Sequence, residues 1–102
     1  MVFDLSKVTG IGEYTTKTEA NEDPSKSRTL FKRDDKVFLV VNKHTIELRT
    51  DHELAKVLKE KYESVMDSRY FGRGGIEIVL AGNQLETDEL NDLVRLSYNL
   101  SS

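Results

Sequence analysis

Residues 36–65 hold two short apolar-rich runs that meet at a polar break and lead straight into an amphipathic segment: KVFLVVN, KH, TIELR, then DHELAKVLKEKYESV. In TIELR the side chains alternate. Ile46 and Leu48 fall on one face and Thr45, Glu47 and Arg49 on the other, the period of a half-buried strand. In the next segment Leu54, Val57, Leu58, Lys61 and Val65 recur at helical spacing, with Tyr62 beside Leu58. Lys56, Lys59, Glu60 and Glu63 take the opposite side, so the spacing predicts a helix with one buried stripe. Thr50-x-x-Glu53 has the form of a capping box, with Asp51 suited to the positive end of the helix dipole. A hairpin feeding a helix leaves few architectures, because both apolar faces must be buried against each other.

The rest of the chain repeats this order on a smaller scale. Residues 64–71 lose the helical period and read as a strand or extended connection, and GRGG at 72–75 as a flexible turn. Ile76, Ile78 and Leu80 then mark a strand, and Gly82-Asn83 a turn. Thr87 or Asp88 caps a last helix whose stripe is Leu90, Leu93, Val94 and Tyr98. Upstream, residues 28–33 read as a strand, joined to 36–42 through the polar pair Asp34-Asp35. Residues 13–20 are a Thr-rich candidate strand. Residues 21–27 read as a loop, with the alternative that Asp23 caps a short helix and Pro24 opens it. The expected fold class is α+β: two layers, with a mostly antiparallel sheet and two helices packed on one face. Residues 1–102 make one domain, with 1–27 as an N-terminal segment and 28–100 as a hairpin–helix–hairpin–helix core.

Composition narrows the chemistry. The chain has 102 residues, enough for one modest core, and no cysteine, which removes disulfides and thiolate metal sites. The N-terminal residues hold no apolar run of signal-peptide length, and no run of 18 apolar residues occurs, so a cytoplasmic, non-membrane protein is expected. Net charge is −3, so any nucleic-acid binding needs a local basic patch. His44 and His52 are the two histidines, too few for a metal site without converging carboxylates. GRGG precedes a strand rather than a helix and lacks the Lys-Ser/Thr ending of a phosphate loop. Asp34-Asp35 sits at a hairpin tip, where solvated carboxylates make poor acid catalysts. The expectation is therefore no catalytic residue, no metal and no cofactor.

The basic residues carry the nucleic-acid signal. Lys32, Arg33 and Lys36 surround one hairpin turn, Lys43 lies at the next, and Arg49 and Arg73 follow. Hairpin tips of this kind can touch phosphates, although Asp34 and Asp35 would repel the same backbone.

The run DKVFLVVNKHTIELRTDHELAKVLKEKYESV, then IEIVL, then DELNDLVRLSYNL, resembles the MmcQ/YjbR family over roughly residues 28–100. The matching features are the hairpin that starts with KVF, the helix after an extended polar strand, and a final helix ending in Ser-Tyr. The resemblance implies a fold like a double-wing DNA-binding domain and duplex DNA as a partner. The chain departs from the family in lacking a readable N-terminal helix, in having Gly75-Ile76 where a Trp is common, and in replacing a lysine-rich lead-in by RYFGRGG. The alternative partner is a protein or a second copy of the chain.

Strand pairing gives that alternative its residues. A two-residue turn at Lys43-His44 pairs Val41 with Ile46, Leu39 with Leu48 and Val40 with Glu47. A two-residue turn at Asp34-Asp35 would set Phe31 opposite Phe38. The face away from the helices then carries Phe31, Phe38 and Val40. The expected cover is the N-terminal segment, through Phe3, Leu5, Val8 or Ile11; otherwise the three form an exposed patch for a partner.

Overall fold

The computed structural model describes residues 3–20, 22–23, 26–82 and 84–102. The readings placed on Asn21, Pro24, Ser25 and Asn83 lie outside the described residues. Among the described residues six strands form one antiparallel sheet: β1 (Thr15–Glu19), β2 (Arg28–Arg33), β3 (Lys36–Val41), β4 (Thr45–Arg49), β5 (Val65–Ser68) and β6 (Gly72–Val79). Their order is β1-β2-β3-β4-β6-β5. Two helices, α1 (His52–Lys61) and α2 (Thr87–Leu100), pack on one face, α2 over β3 and β4 and α1 over β5 and β6. The fold is the expected α+β two-layer domain. Among the described residues no helix is long and apolar enough to cross a membrane.

The core between the layers is apolar. Ile46, Leu48, Ile76 and Ile78 meet Ala55 and Leu58 of α1 and Leu90, Leu93 and Val94 of α2. The α2 stripe is the expected one. That of α1 is rotated: Ala55 and Leu58 are buried and Val57 is 55% exposed. Val65 belongs to β5, because the helix stops at Lys61. The cap also differs. Asp51 accepts the Leu54 N–H at 2.7 Å, so Asp51 is the N-cap rather than Thr50. The Thr50 amide instead bonds the Gly74 carbonyl at 3.0 Å, which ties Thr50 to the neighbouring β6 strand. At α2 the N-cap is Glu86, without a side-chain cap bond, and Thr87 is the first helical residue.

A β-bulge corrects the register of the first hairpin. Phe31 pairs with Leu39, and Lys32 with Val37, so Phe38 is an extra residue between them. Asp34 takes the turn at φ 54, a conformation that Asp tolerates better than most residues. Because the bulge displaces it, Phe38 joins the helix-side core rather than the far face. Its carbonyl accepts the Ser97 hydroxyl at 2.5 Å, and the Ser97 oxygen accepts the Arg49 N–H at 2.7 Å. Tyr98 stacks edge-on against Phe38 at 5.0 Å and donates to the Glu13 carbonyl at 2.9 Å. The Ser-Tyr ending of α2 thus repairs the bulge and fastens the N-terminal segment. That segment packs on the helix side, with Leu5 and Val8 buried in the main core and Phe3 and Ile11 against it. It does not cover the far face.

The far face is covered by the β5–β6 connection. GRGG is not a turn; it opens β6, and the reversal is made by Arg69, Tyr70 and Phe71. Phe71 folds over the sheet onto Leu30, Val37 and Val40. Gly75 makes room for it: a Cβ there would lie 2.4 Å from the Leu48 carbonyl oxygen and 2.7 Å from the Phe71 Cβ. Gly74–Phe71 and Tyr70–Phe71 contacts complete a short arm across the strands.

Candidate functional site

Directly opposed residues share a face of the sheet, so the pairs Lys17–Leu30, Leu30–Val40, Val40–Glu47 and Glu47–Glu77 run across one surface. This is the arm-covered face. Glu47 is 1% exposed and Glu77 2%. Two carboxylates face each other on adjacent strands, an arrangement that costs stability unless both are matched.

Both are matched. Glu47 Oε1 accepts the Ser68 hydroxyl at 2.8 Å and the Tyr70 N–H at 2.9 Å, and its Oε2 accepts Asn42 Nδ2 at 2.9 Å. Arg69 grips Glu77 with two bonds, Nε to Oε1 at 3.0 Å and Nη2 to Oε2 at 2.8 Å. Thr45 donates its hydroxyl to Glu77 at 2.7 Å and accepts Asn42 Nδ2 at 2.9 Å. Burial alone would raise the Glu47 carboxyl. The bonds from Asn42, the Tyr70 amide and Ser68, with the Arg69 charge nearby, outweigh it and hold the carboxyl below its ordinary value. Glu47 is therefore a buried anion at neutral pH. The Tyr70 N–H comes from the arm, and Ser68 at the end of β5 in turn accepts the Phe71 N–H at 2.9 Å, so the same network clamps the arm to the sheet.

Beside this network lies a cleft of about 470 Å³ lined by Glu19, Ala20, Lys26, Arg28, Asn42, Glu47 and Arg69. Arg28 bonds Glu19 through Nε at 2.9 Å and lies 5.2 Å from the ring centre of Tyr70, which is 38% exposed. Lys17 and Lys32 extend the basic character along β1 and β2 on the same face.

The residues singled out from sequence do not converge. Lys32 and Arg49 share the arm-covered face, where Arg49 donates to the Val37 carbonyl at 2.7 Å and lies over the Phe71 ring at 5.0 Å. Arg33 and Lys36 serve the end of α2. Arg33 donates to the Tyr98 carbonyl at 3.0 Å and Lys36 to the Ser102 carbonyl at 3.3 Å, where cations complement the helix dipole. Lys43 is exposed at the β3–β4 turn. Arg73 lies beside α1 in a groove with His52, Lys56, Lys59 and Asp67. There the Lys59 ammonium, 2.6 Å away, holds the Asp67 carboxyl below its ordinary value, helped by Arg73 and His52. Of the expected apolar patch, Phe38 and Val40 are fully buried and Phe31 is half-buried on the helix side, so the three do not form one exposed patch.

Sequence reasoning missed Glu47, Glu77, Asn42, Arg69, Lys17, Arg28 and Tyr70. Among the described residues no group of three His, Asp or Glu could hold a metal ion. Comparison of the chain with protein-family models, curated proteins and solved structures finds no match.

Proposed function

We propose that this chain is a small, non-catalytic nucleic-acid-binding module that meets its partner on the arm-covered face of the sheet. The observation that carries this is the charge of that face. Lys17, Arg28, Lys32, Arg49 and Arg69 gather there, on a chain of net charge −3, against Glu19, which pairs with Arg28, while Glu47 and Glu77 are sunk beneath the surface, each held by its own donors. A basic strip beside an exposed aromatic ring suits a phosphate backbone and its bases. DNA is the polymer that the MmcQ/YjbR resemblance implies. The contact surface proposed here differs from hairpin tips, since Arg33 and Lys36 are engaged at the end of α2.

The test is the salt dependence of DNA binding. Lys17→Ala and Lys32→Ala should each lower the log–log salt slope by about one, because each removes one phosphate contact. Lys36→Ala should leave the slope unchanged. Absence of binding at low salt with micromolar protein would end this reading. A protein partner is the second reading, favoured by Met66 and Tyr70, which stay exposed on the same face. It requires binding that varies little with salt.

A further inference from the structure

We propose that the cleft beside Glu47 holds the base and phosphate of one unpaired nucleotide, and that guanine is the base it fits best. This rests on the nucleic-acid reading for its polymer, but the cleft itself can be tested with single nucleotides.

Size comes first. About 470 Å³ lies within the roughly 300–1,000 Å³ of small-ligand sites and far below what a duplex would need. Chemistry follows from how the lining donors are already spent. Asn42 uses both amide hydrogens, one on Thr45 and one on Glu47. Thr45 gives its single hydroxyl hydrogen to Glu77, so it must accept from Asn42, which fixes the orientation of the amide. What Asn42 offers a ligand is therefore its carbonyl oxygen. Glu47 Oε2 takes one donor, from Asn42, and has capacity for a second. The inner wall thus presents acceptors, and the rim presents Lys26, with Arg28 paired to Glu19 and Arg69 to Glu77.

A ligand that suits this wall and rim has N–H donors at one end and an anion at the other. A nucleotide has that form. Guanine carries adjacent N1–H and N2–H₂ donors on its Watson–Crick edge, whereas adenine, cytosine and thymine each present one donor group there. In a duplex that edge is occupied, so the base must be unpaired. Tyr70, whose ring centre lies 5.2 Å from the Arg28 guanidinium, adds an aromatic ring next to the cleft, and Lys26 in the lining supplies a charge for the phosphate.

The experiment is an NMR titration of the intact chain with guanosine, adenosine, cytidine and thymidine 5′-monophosphates, followed by a guanine-containing oligonucleotide, single-stranded and as a duplex. Guanosine monophosphate should give saturating amide shifts at Asn42, Glu47 and Tyr70 and bind about tenfold more tightly than the other three. Lys26→Ala should weaken all four alike, and Lys43→Ala should do nothing. Preference for the single strand over the duplex marks the polymer as the source. Binding of the monophosphate without either polymer supports the cleft, assigns it to a free nucleotide and overturns the nucleic-acid reading. Duplex binding with no monophosphate shifts and no effect of Lys26→Ala overturns the cleft and leaves that reading standing. Equal affinity for all four bases overturns the guanine assignment.

Discussion

Ile46 and Glu47 are neighbours on β4, and both are buried, Ile46 beneath the helices and Glu47 beneath the β5–β6 arm. The helix-covered face is closed mainly by apolar side chains. It tolerates small adjustments in packing, because the hydrophobic effect has no direction. The arm-covered face is closed by three apolar residues under Phe71 and by a directional network in which each carboxylate oxygen has at least one donor. Losing one member there leaves others unmatched in a poorly solvated place. The first face holds the fold together, and the second positions charges toward solvent.

Substitutions on β4 should separate the two kinds of burial. Leu48→Asp places an unmatched charge in the helix-side core and should cost more than about 4 kcal/mol, leaving no cooperative unfolding transition. Glu47→Ala should cost about 3 kcal/mol, since Asn42, Ser68 and the Tyr70 amide all lose an acceptor. Denaturant midpoints of the two variants would order them, and a Glu47→Ala cost below about 1 kcal/mol would mean that the clamp is not worth what its geometry suggests.

Gly75→Ala should cost about 2 kcal/mol. The added methyl meets the Leu48 carbonyl, which is backbone in the middle of the sheet, as well as Phe71. Phe71→Ala combined with Gly75→Ala should cost less than the sum of the two, because the arm then has nothing to be displaced from.

Acid should weaken the arm-covered face. The folded carboxyl of Glu47 lies below its ordinary value of 4.5, so its contribution is complete above that value and is lost as pH falls through the folded value. Stability against denaturant, measured from pH 6 down to pH 3, should therefore fall less steeply for Glu47→Gln than for the parent. Smallest of all is Val57→Ala: Val57 is 55% exposed, and the change should stay within about 0.5 kcal/mol.

Much of the helix-covered face was legible in the sequence. The TIELR alternation, the β3–β4 pairing and the α2 stripe all follow from local periods and short turns. The α1 stripe was misassigned because Ala55, a small residue, carries little pattern weight, while exposed Val57 carries much. The arm-covered face was less legible for a different reason. Alternation reports polarity and not burial, so Glu47 reads as a solvated residue. Its partner Glu77 is thirty positions away and is matched to it only through the β4–β6 pairing. The bulge at Phe38 likewise has no local signature; it is stabilised by Ser97, far along the chain.

The most direct test is amide hydrogen exchange at Tyr70, whose N–H donates to Glu47. Tyr70 lies in a connection between strands, where an unclamped amide exchanges quickly. In the parent its amide should be protected nearly as well as those of β4, and Glu47→Ala should abolish that protection while the amides of α2 keep theirs. Rapid exchange at Tyr70 in the parent would contradict the account, because the arm would then not be held over the sheet.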